Sequence, residues 1–136
     1  MFDNPFTVEL VTPERVIFHG DVRVVTAPGS EGGLQILRNH APLLTGLDTG
    51  RLKLRDTEDT VVNFATSGGF LEVRSNLVTI LAETAERADQ IDVERARRSK
   101  ERAEERLRSR HMDIDFDRAR ASLARAINRL NVAQSN

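Results

Sequence analysis

From Asp92 to Val132 the chain contains neither proline nor glycine, and that absence does more than any other feature to limit its fold. The two residues that most readily stop a helix are missing from a long charged stretch, which therefore reads as helical. Its first half, Val93 to about Ser109, is dense in Arg and Glu and carries a thin apolar stripe of Val93, Ala96, Ala103 and Leu107. The second half, Phe116 to Leu130, places Phe116, Leu123, Ile127 and Leu130 at spacings of seven, four and three, the period of one helix face. Between them "SRHMDI" breaks the pattern, which predicts two helices folded back as an antiparallel hairpin. Stripes this thin bury little, so the hairpin is expected to be marginally held and able to detach.

Upstream, the period changes near Ala85. From Phe6 to about Glu83 the sequence is a series of β-rich runs, "FTVELVT", "VRVVTA", "GLQIL", "RLKLR", "TVVNFATS", "FLEVR" and "LVTILAE", with no helical stretch between them. That spacing predicts a β-sandwich or barrel. Polar "DTED" and "SN" read as hairpin links, Asn being tolerant of positive φ, and Gly-rich "GSEGG" and "SGG" read as turns. "TVVNFAT" sets Val62 and Phe64 against Val61 and Asn63, so one face is expected to be buried. The class is α+β: an N-terminal β domain over 1–86, sandwich or barrel, then a C-terminal antiparallel two-helix hairpin over 87–136. A chain of 136 residues is long enough to bury a real core.

The overall charge of −1 argues against a general polyanion binder, although residues 1–88 carry 8 Lys+Arg against 12 Asp+Glu and residues 89–136 carry 12 against 9. The lack of cysteine fits a reducing compartment, with cytoplasm the default. "MFDNPFTVEL" lacks the basic-then-apolar layout of a secretion signal. Runs such as "LVTILA" fall far short of the roughly 20 residues that span a bilayer, so no direct membrane insertion is expected; work at a membrane would require a partner.

Catalytic constellations are scarce. His19, His40 and His111 are scattered, with no second His at helical ligand spacing and no Cys, so no metal site is expected. His40, in "LRNHAPLL", reads as a structural or interface residue. Neither Gly-rich run is followed by Lys-Ser/Thr, and no serine sits in a nucleophile elbow. Glu is interspersed among the basic residues and there is no Trp or Tyr for stacking, so no nucleic-acid partner is expected.

One string occurs twice: "QIDVERARR" from Gln90 and "DIDFDRARA" from Asp113. An Asp ahead of a helical run is an N-cap, which assigns that role to Asp92 and Asp115. Ile91 and Ile114 then fall where a hydrophobic staple onto Ala96 or Ala119 would form, and Glu94 and Asp117 suit the positive end of the helix dipole. Capping leaves the following Arg and Ala unexplained. At about 100° per residue Arg118, Arg125 and Arg129 share one stripe, and so do Arg95 and Arg102. Two readings stay open: a solvated face with Glu101, Glu104 and Glu105 as ion-pair partners, or a grip for phosphate or carboxylate.

The chain resembles the ε-subunit family of bacterial F-type ATP synthases. Five segments carry the likeness, "VELVTPERVIFHGDV", "GGLQILRNHAPLLTGL", "SGGFLEV", "VTILAETAERADQIDVERA" and "RARASLARAINRL", and together they cover nearly the whole sequence. The resemblance implies that the N-terminal domain is a β-sandwich. It also implies a non-catalytic central-stalk subunit of a proton-translocating ATP synthase, at the cytoplasmic face of the bacterial membrane. Its implied partners are the γ subunit, the c-subunit ring and the α/β hexamer. The sandwich would dock on stalk and ring, with the loop Arg38, Asn39, His40, Ala41, Pro42 and Leu43 at that interface. Many relatives read Leu-Pro-Gly-His-Ala-Pro where this chain has Leu37-Arg38-Asn39-His40-Ala41-Pro42. The hairpin would restrain ATP hydrolysis. No cofactor is implied, but ATP is implied as a regulatory ligand: Ile91, Asp92, Arg95 and Ala96 match the family's Ile-Asp-x-x-Arg-Ala motif, Glu86 its upstream acid, and Arg118, Arg125 and Arg129 its second-helix arginines. A free-standing nucleotide-sensing regulatory protein, with no membrane complex, is the alternative.

Overall fold

Alternation along the first strand, β1 (Phe6–Val11), buries Phe6, Val8 and Leu10 and leaves Thr7, Glu9 and Val11 less covered, as expected of a strand with one face on a core. The computed structural model describes residues 4–109 and 113–135. Six further strands follow: β2 (Val16–Ala27), β3 (Leu34–Ile36), β4 (Leu43–Gly46), β5 (Gly50–Asp56), β6 (Val61–Arg74) and β7 (Leu77–Arg87). Three long strands, β2, β6 and β7, each serve two layers. One layer runs β3-β2-β5-β6-β7 and the other β2-β1-β7-β6-β4; every pairing is antiparallel except β1 with β7. Between the layers lies one apolar core that includes Leu10, Val25, Ile36, Leu54, Phe64, Leu71 and Ile80, with no residue from the helices.

The structure corrects several readings of single runs. "TVVNFATS" and "FLEVR" form one strand, β6, and "SGG" is its bend rather than a turn between strands. Up to Thr66 the strand pairs with β5, and from Phe70 it pairs with β4. Gly69, at φ 120°, sits where an added Cβ would lie 1.9 Å from the Leu81 carbonyl oxygen, so only glycine lets the chains approach and the strand change layers. Residues 16–21 and 43–46 lie outside the runs read as β-rich; the first form the first half of β2 and the second form β4. The "SN" link is a two-residue hairpin with Ser75 at φ 50° and Asn76 at φ 62°, the double positive-φ pattern that matches strand twist.

A short 3-10 turn, Ala88–Gln90, leads into α1 (Val93–Arg108), and α2 (Phe116–Ala133) follows. Of the intervening "SRHMDI", Arg110, His111 and Met112 lie outside the described residues. The caps form as read: Asp92 Oδ1 accepts from the Arg95 N–H at 3.0 Å and Asp115 Oδ1 from the Arg118 N–H at 3.1 Å. The seam between the helices keeps Ala96 and Ala103 of the expected α1 stripe but differs in α2. Ala96, Ala103, Ala119 and Ala126 are buried there, two per helix at a spacing of seven, whereas Phe116 and Ile127 are each 38% exposed and Val93 37%. Small side chains let the helix axes approach, and that closeness excludes the larger residues from the contact. Ile91 is no simple staple either; it joins Ala65, Ala88 and Val132 in a second apolar cluster that fastens the hairpin to the sandwich.

Candidate functional site

Beside Ile91, the last turns of α2 grip the sandwich. Asn128 Nδ2 donates to the Gly50 carbonyl at 2.9 Å and lies 3.4 Å from that of Thr66, two residues paired across β5 and β6. Beside it, Arg129 Nη2 donates to Glu86 Oε2 at 3.0 Å, and its Nε makes an ion-pair contact with Oε1 at 2.6 Å. Val132, fully buried, seats against Ala65 and Ile91. One turn earlier the helices stand away from the sheet and leave a cleft of about 590 Å³.

The helical wall of this cleft holds Arg95, Ser99, Ser122 and Arg125, and the sheet wall holds Thr66, Ser67, Thr84, Glu83 and Glu86. Arg125 Nη2 donates to Ser122 Oγ at 3.0 Å; Arg95 makes no side-chain hydrogen bond or ion pair among the described residues. Three exposed guanidinium groups, those of Arg95 and Arg125 on the helices and of Arg15 on the sheet side, lie beside hydroxyls and favour an anionic ligand, since each planar fork matches phosphate or carboxylate oxygens. Arg129 also faces the cleft, but its charge is matched by Glu86. No paired nucleophile and base line the cleft, and no cluster of His, Cys, Asp or Glu among the described residues has metal-ligand geometry.

The candidate ligand residues therefore divide. Glu86, Arg95, Arg125 and Arg129 converge on the cleft. Asp92 caps α1, Ile91 packs in the second apolar cluster and Ala96 is buried on α1, so these three lie outside the lining and support the start of the helix that carries Arg95. Arg118 is exposed and lies outside the lining, about two turns from Arg125. Position on one angular stripe does not bring residues to one site when only one end of the helix meets the sheet. The hydroxyls of Ser99 and Ser122 were missed, although each precedes a stripe arginine by three positions; Arg102 donates to Ser99 just as Arg125 does to Ser122.

At the other end of the sandwich, the six-residue loop expected at an interface is held firmly. Arg38 Nη1 donates to the Pro5 carbonyl at 2.7 Å, the Asn39 N–H donates to Asn76 Oδ1 at 2.7 Å, and His40 Nδ1 lies 2.7 Å from the Ala41 carbonyl. Ala41 and Pro42 are exposed and Leu43 turns toward the core. A further surface went unread. Phe70, Leu81 and Val16 are 59%, 52% and 56% exposed, and the register sets Phe70 beside Leu81, Leu81 beside Val11 and Val11 beside Val16. This apolar row crosses four strands on the outside of one layer, as surfaces that meet another protein do. Its signal in the sequence was apolar residues at outward positions of the alternation.

The fold and the cleft define a class: a β-sandwich module carrying a two-helix hairpin, with an anion-suited space between the two. Residues 5–88 match the family model described as ATP synthase, Delta/Epsilon chain, beta-sandwich domain, and residues 89–134 the model described as ATP synthase, Delta/Epsilon chain, long alpha-helix domain. The chain belongs to this ATP synthase delta/epsilon family. Among its relatives, an ATP synthase epsilon chain of Halalkalibacterium halodurans is 53% identical, covering 93% of this chain and 95% of that one. One of Desulforamulus reducens is 48% identical over 93% and 96%, and one of Brevibacillus brevis 49% over 96% and 99%. In a cryo-EM structure of the Euglena gracilis mitochondrial ATP synthase (OSCP/F1/c-ring), a chain 20% identical shares the fold at a TM-score of 0.83, covering 97% of this chain and 82% of that one. No helix among the described residues is long and apolar enough to cross a membrane.

Proposed function

We propose that this protein is the non-catalytic ε subunit of the central stalk of a proton-translocating F-type ATP synthase, with a hairpin that restrains ATP hydrolysis and answers to ATP. Membership of the epsilon-chain family along nearly the whole chain supports the stalk role. The apolar row suits a protein partner such as γ, the Arg38–Leu43 loop would face the c-subunit ring, and the hairpin, once released, would reach the α/β hexamer. The subunit would sit peripherally on the cytoplasmic face of the cell membrane.

The single observation that carries the regulatory part is the cleft between hairpin and sandwich, with Arg95 and Arg125 free of carboxylate partners among the described residues. Bound there, the phosphates of ATP would tie both helices together and stabilise the docked hairpin by mass action. The nucleotide would be held and not hydrolysed. Two measurements test the reading. The native protein should co-purify with γ and the ring, and its absence from such a complex would refute the stalk role. Calorimetric titration of the isolated chain with ATP should give saturable heat; no heat and no competition with a fluorescent nucleotide would remove the ligand.

A further inference from the structure

Residues Leu37 to His40 close a turn in which the His40 N–H donates to the Leu37 carbonyl at 3.2 Å. Asn39, third of the four, stands at φ 65°, while Arg38 has no positive φ. Positive φ at the third position alone is the type II pattern, which favours proline second and glycine third. Here those places hold Arg38 and Asn39. The turn thus lacks both the ring that fixes φ and the residue that enters the left-handed region without strain.

The hold comes from a distant residue. Asn76, itself at φ 62° in the β6–β7 hairpin, accepts the Asn39 N–H on Oδ1 at 2.7 Å and donates Nδ2 to Asn39 Oδ1 at 3.1 Å. Its own carbonyl accepts from the Thr7 N–H at 3.1 Å, which ties the clip to β1. We propose that Asn76 is a positioning residue: by clipping Asn39 it sets the shape in which the Arg38–Leu43 loop meets its partner, replacing the stiffness a Pro-Gly turn has by itself. The inference rests on the reading that this loop faces the ring of c subunits.

The test uses membranes carrying the ATP synthase complex stripped of this subunit, with rebinding of the full chain read as a half-saturating concentration. Asn76→Gly removes the amide but keeps a residue at ease at positive φ, so the melting temperature of the sandwich should not fall. Rebinding should nevertheless weaken by roughly three- to tenfold, the scale of two partly exposed hydrogen bonds. In a chain already carrying Arg38→Pro and Asn39→Gly, Asn76→Gly should cost no rebinding beyond that of the double variant, a comparison that cancels what Arg38 and Asn39 contribute themselves and that general support of the fold by Asn76 would not produce. Ala41→Glu, at an exposed loop position, reports on the loop itself and should weaken rebinding. If Ala41→Glu weakens rebinding while Asn76→Gly matches the parent, or if Asn76→Gly costs as much on the Pro-Gly turn as on the native one, the clip is overturned. If Ala41→Glu has no effect, the ring-facing reading fails and the clip loses its purpose with it.

Discussion

Arg129 and Glu86, 43 positions apart in the chain, meet through a hydrogen bond of 3.0 Å and a second contact of 2.6 Å between the last turns of α2 and the end of β7. Their side chains are 22% and 35% exposed, so water weakens the pair without dissolving it. Glu86→Gln keeps the shape and removes the charge, and should lower docking of the hairpin by about 1 kcal/mol. A distance label at Ser99 reporting on the sandwich should then show a several-fold smaller docked population. An unchanged distance distribution would mean the pair is incidental.

Asn128 grips backbone, not charge, and the isosteric change Asn128→Asp tests this. Its Nδ2 donates to the Gly50 carbonyl at 2.9 Å; a carboxylate in its place would set acceptor against acceptor. Leaving that interaction reversed should cost more than deleting it, by roughly 1–3 kcal/mol. The same distance label should therefore show Asn128→Asp more undocked at neutral pH than Asn128→Ala. Equal populations in the two variants would argue that the hydrogen bonds contribute nothing to docking.

For the ligand, the cleft separates residues that a stripe of arginines could not. Arg95→Ala and Arg125→Ala should each weaken ATP binding by about tenfold or more, as for loss of a charge-assisted contact. Arg118→Ala should leave it unchanged, because Arg118 lies outside the cleft lining. Calorimetric titration decides, and an effect of Arg118→Ala equal to that of Arg125→Ala would move the ligand out of this cleft.

Removal of residues 89–136 should leave the sandwich folded, because its main core contains no helical residue. In the assembled complex the truncated chain should still be incorporated, and ATP hydrolysis should rise. An ATPase rate equal to that of the full-length complex would show that the hairpin is no brake.

The bend in β6 gives the sharpest stability prediction. Gly69→Ala would place a Cβ 1.9 Å from the Leu81 carbonyl oxygen at a φ of 120°, and should destabilise the sandwich by about 3 kcal/mol or more in urea unfolding. A change below 1 kcal/mol would mean that the strand can cross layers by another path.

Read by itself, the sequence determined what depends on neighbours along the chain. Period-2 alternation marked most strands, the missing breakers marked the helices, and Asp92 and Asp115 were legible as caps because a cap satisfies amides only three residues away. The residues that resemble the family's nucleotide motif were legible as a set. Their sorting was legible only in part: Asp92 read as a cap and Ile91 as a staple, but which arginines share a cleft depends on where α2 meets the sheet, and that separates Arg125 from Arg118. Tertiary structure alone decided that "SGG" bends a strand rather than ends it, because the reason is the Leu81 carbonyl across the sheet. It also decided that in α2 the alanines Ala119 and Ala126, not Phe116 and Ile127, enter the helical seam, since contact is governed by how closely two axes approach and no single helix contains that distance. The Asn39–Asn76 clip belongs with these: each asparagine reads as a local turn residue, and only the closing of the sandwich brings the two turns within hydrogen-bonding reach.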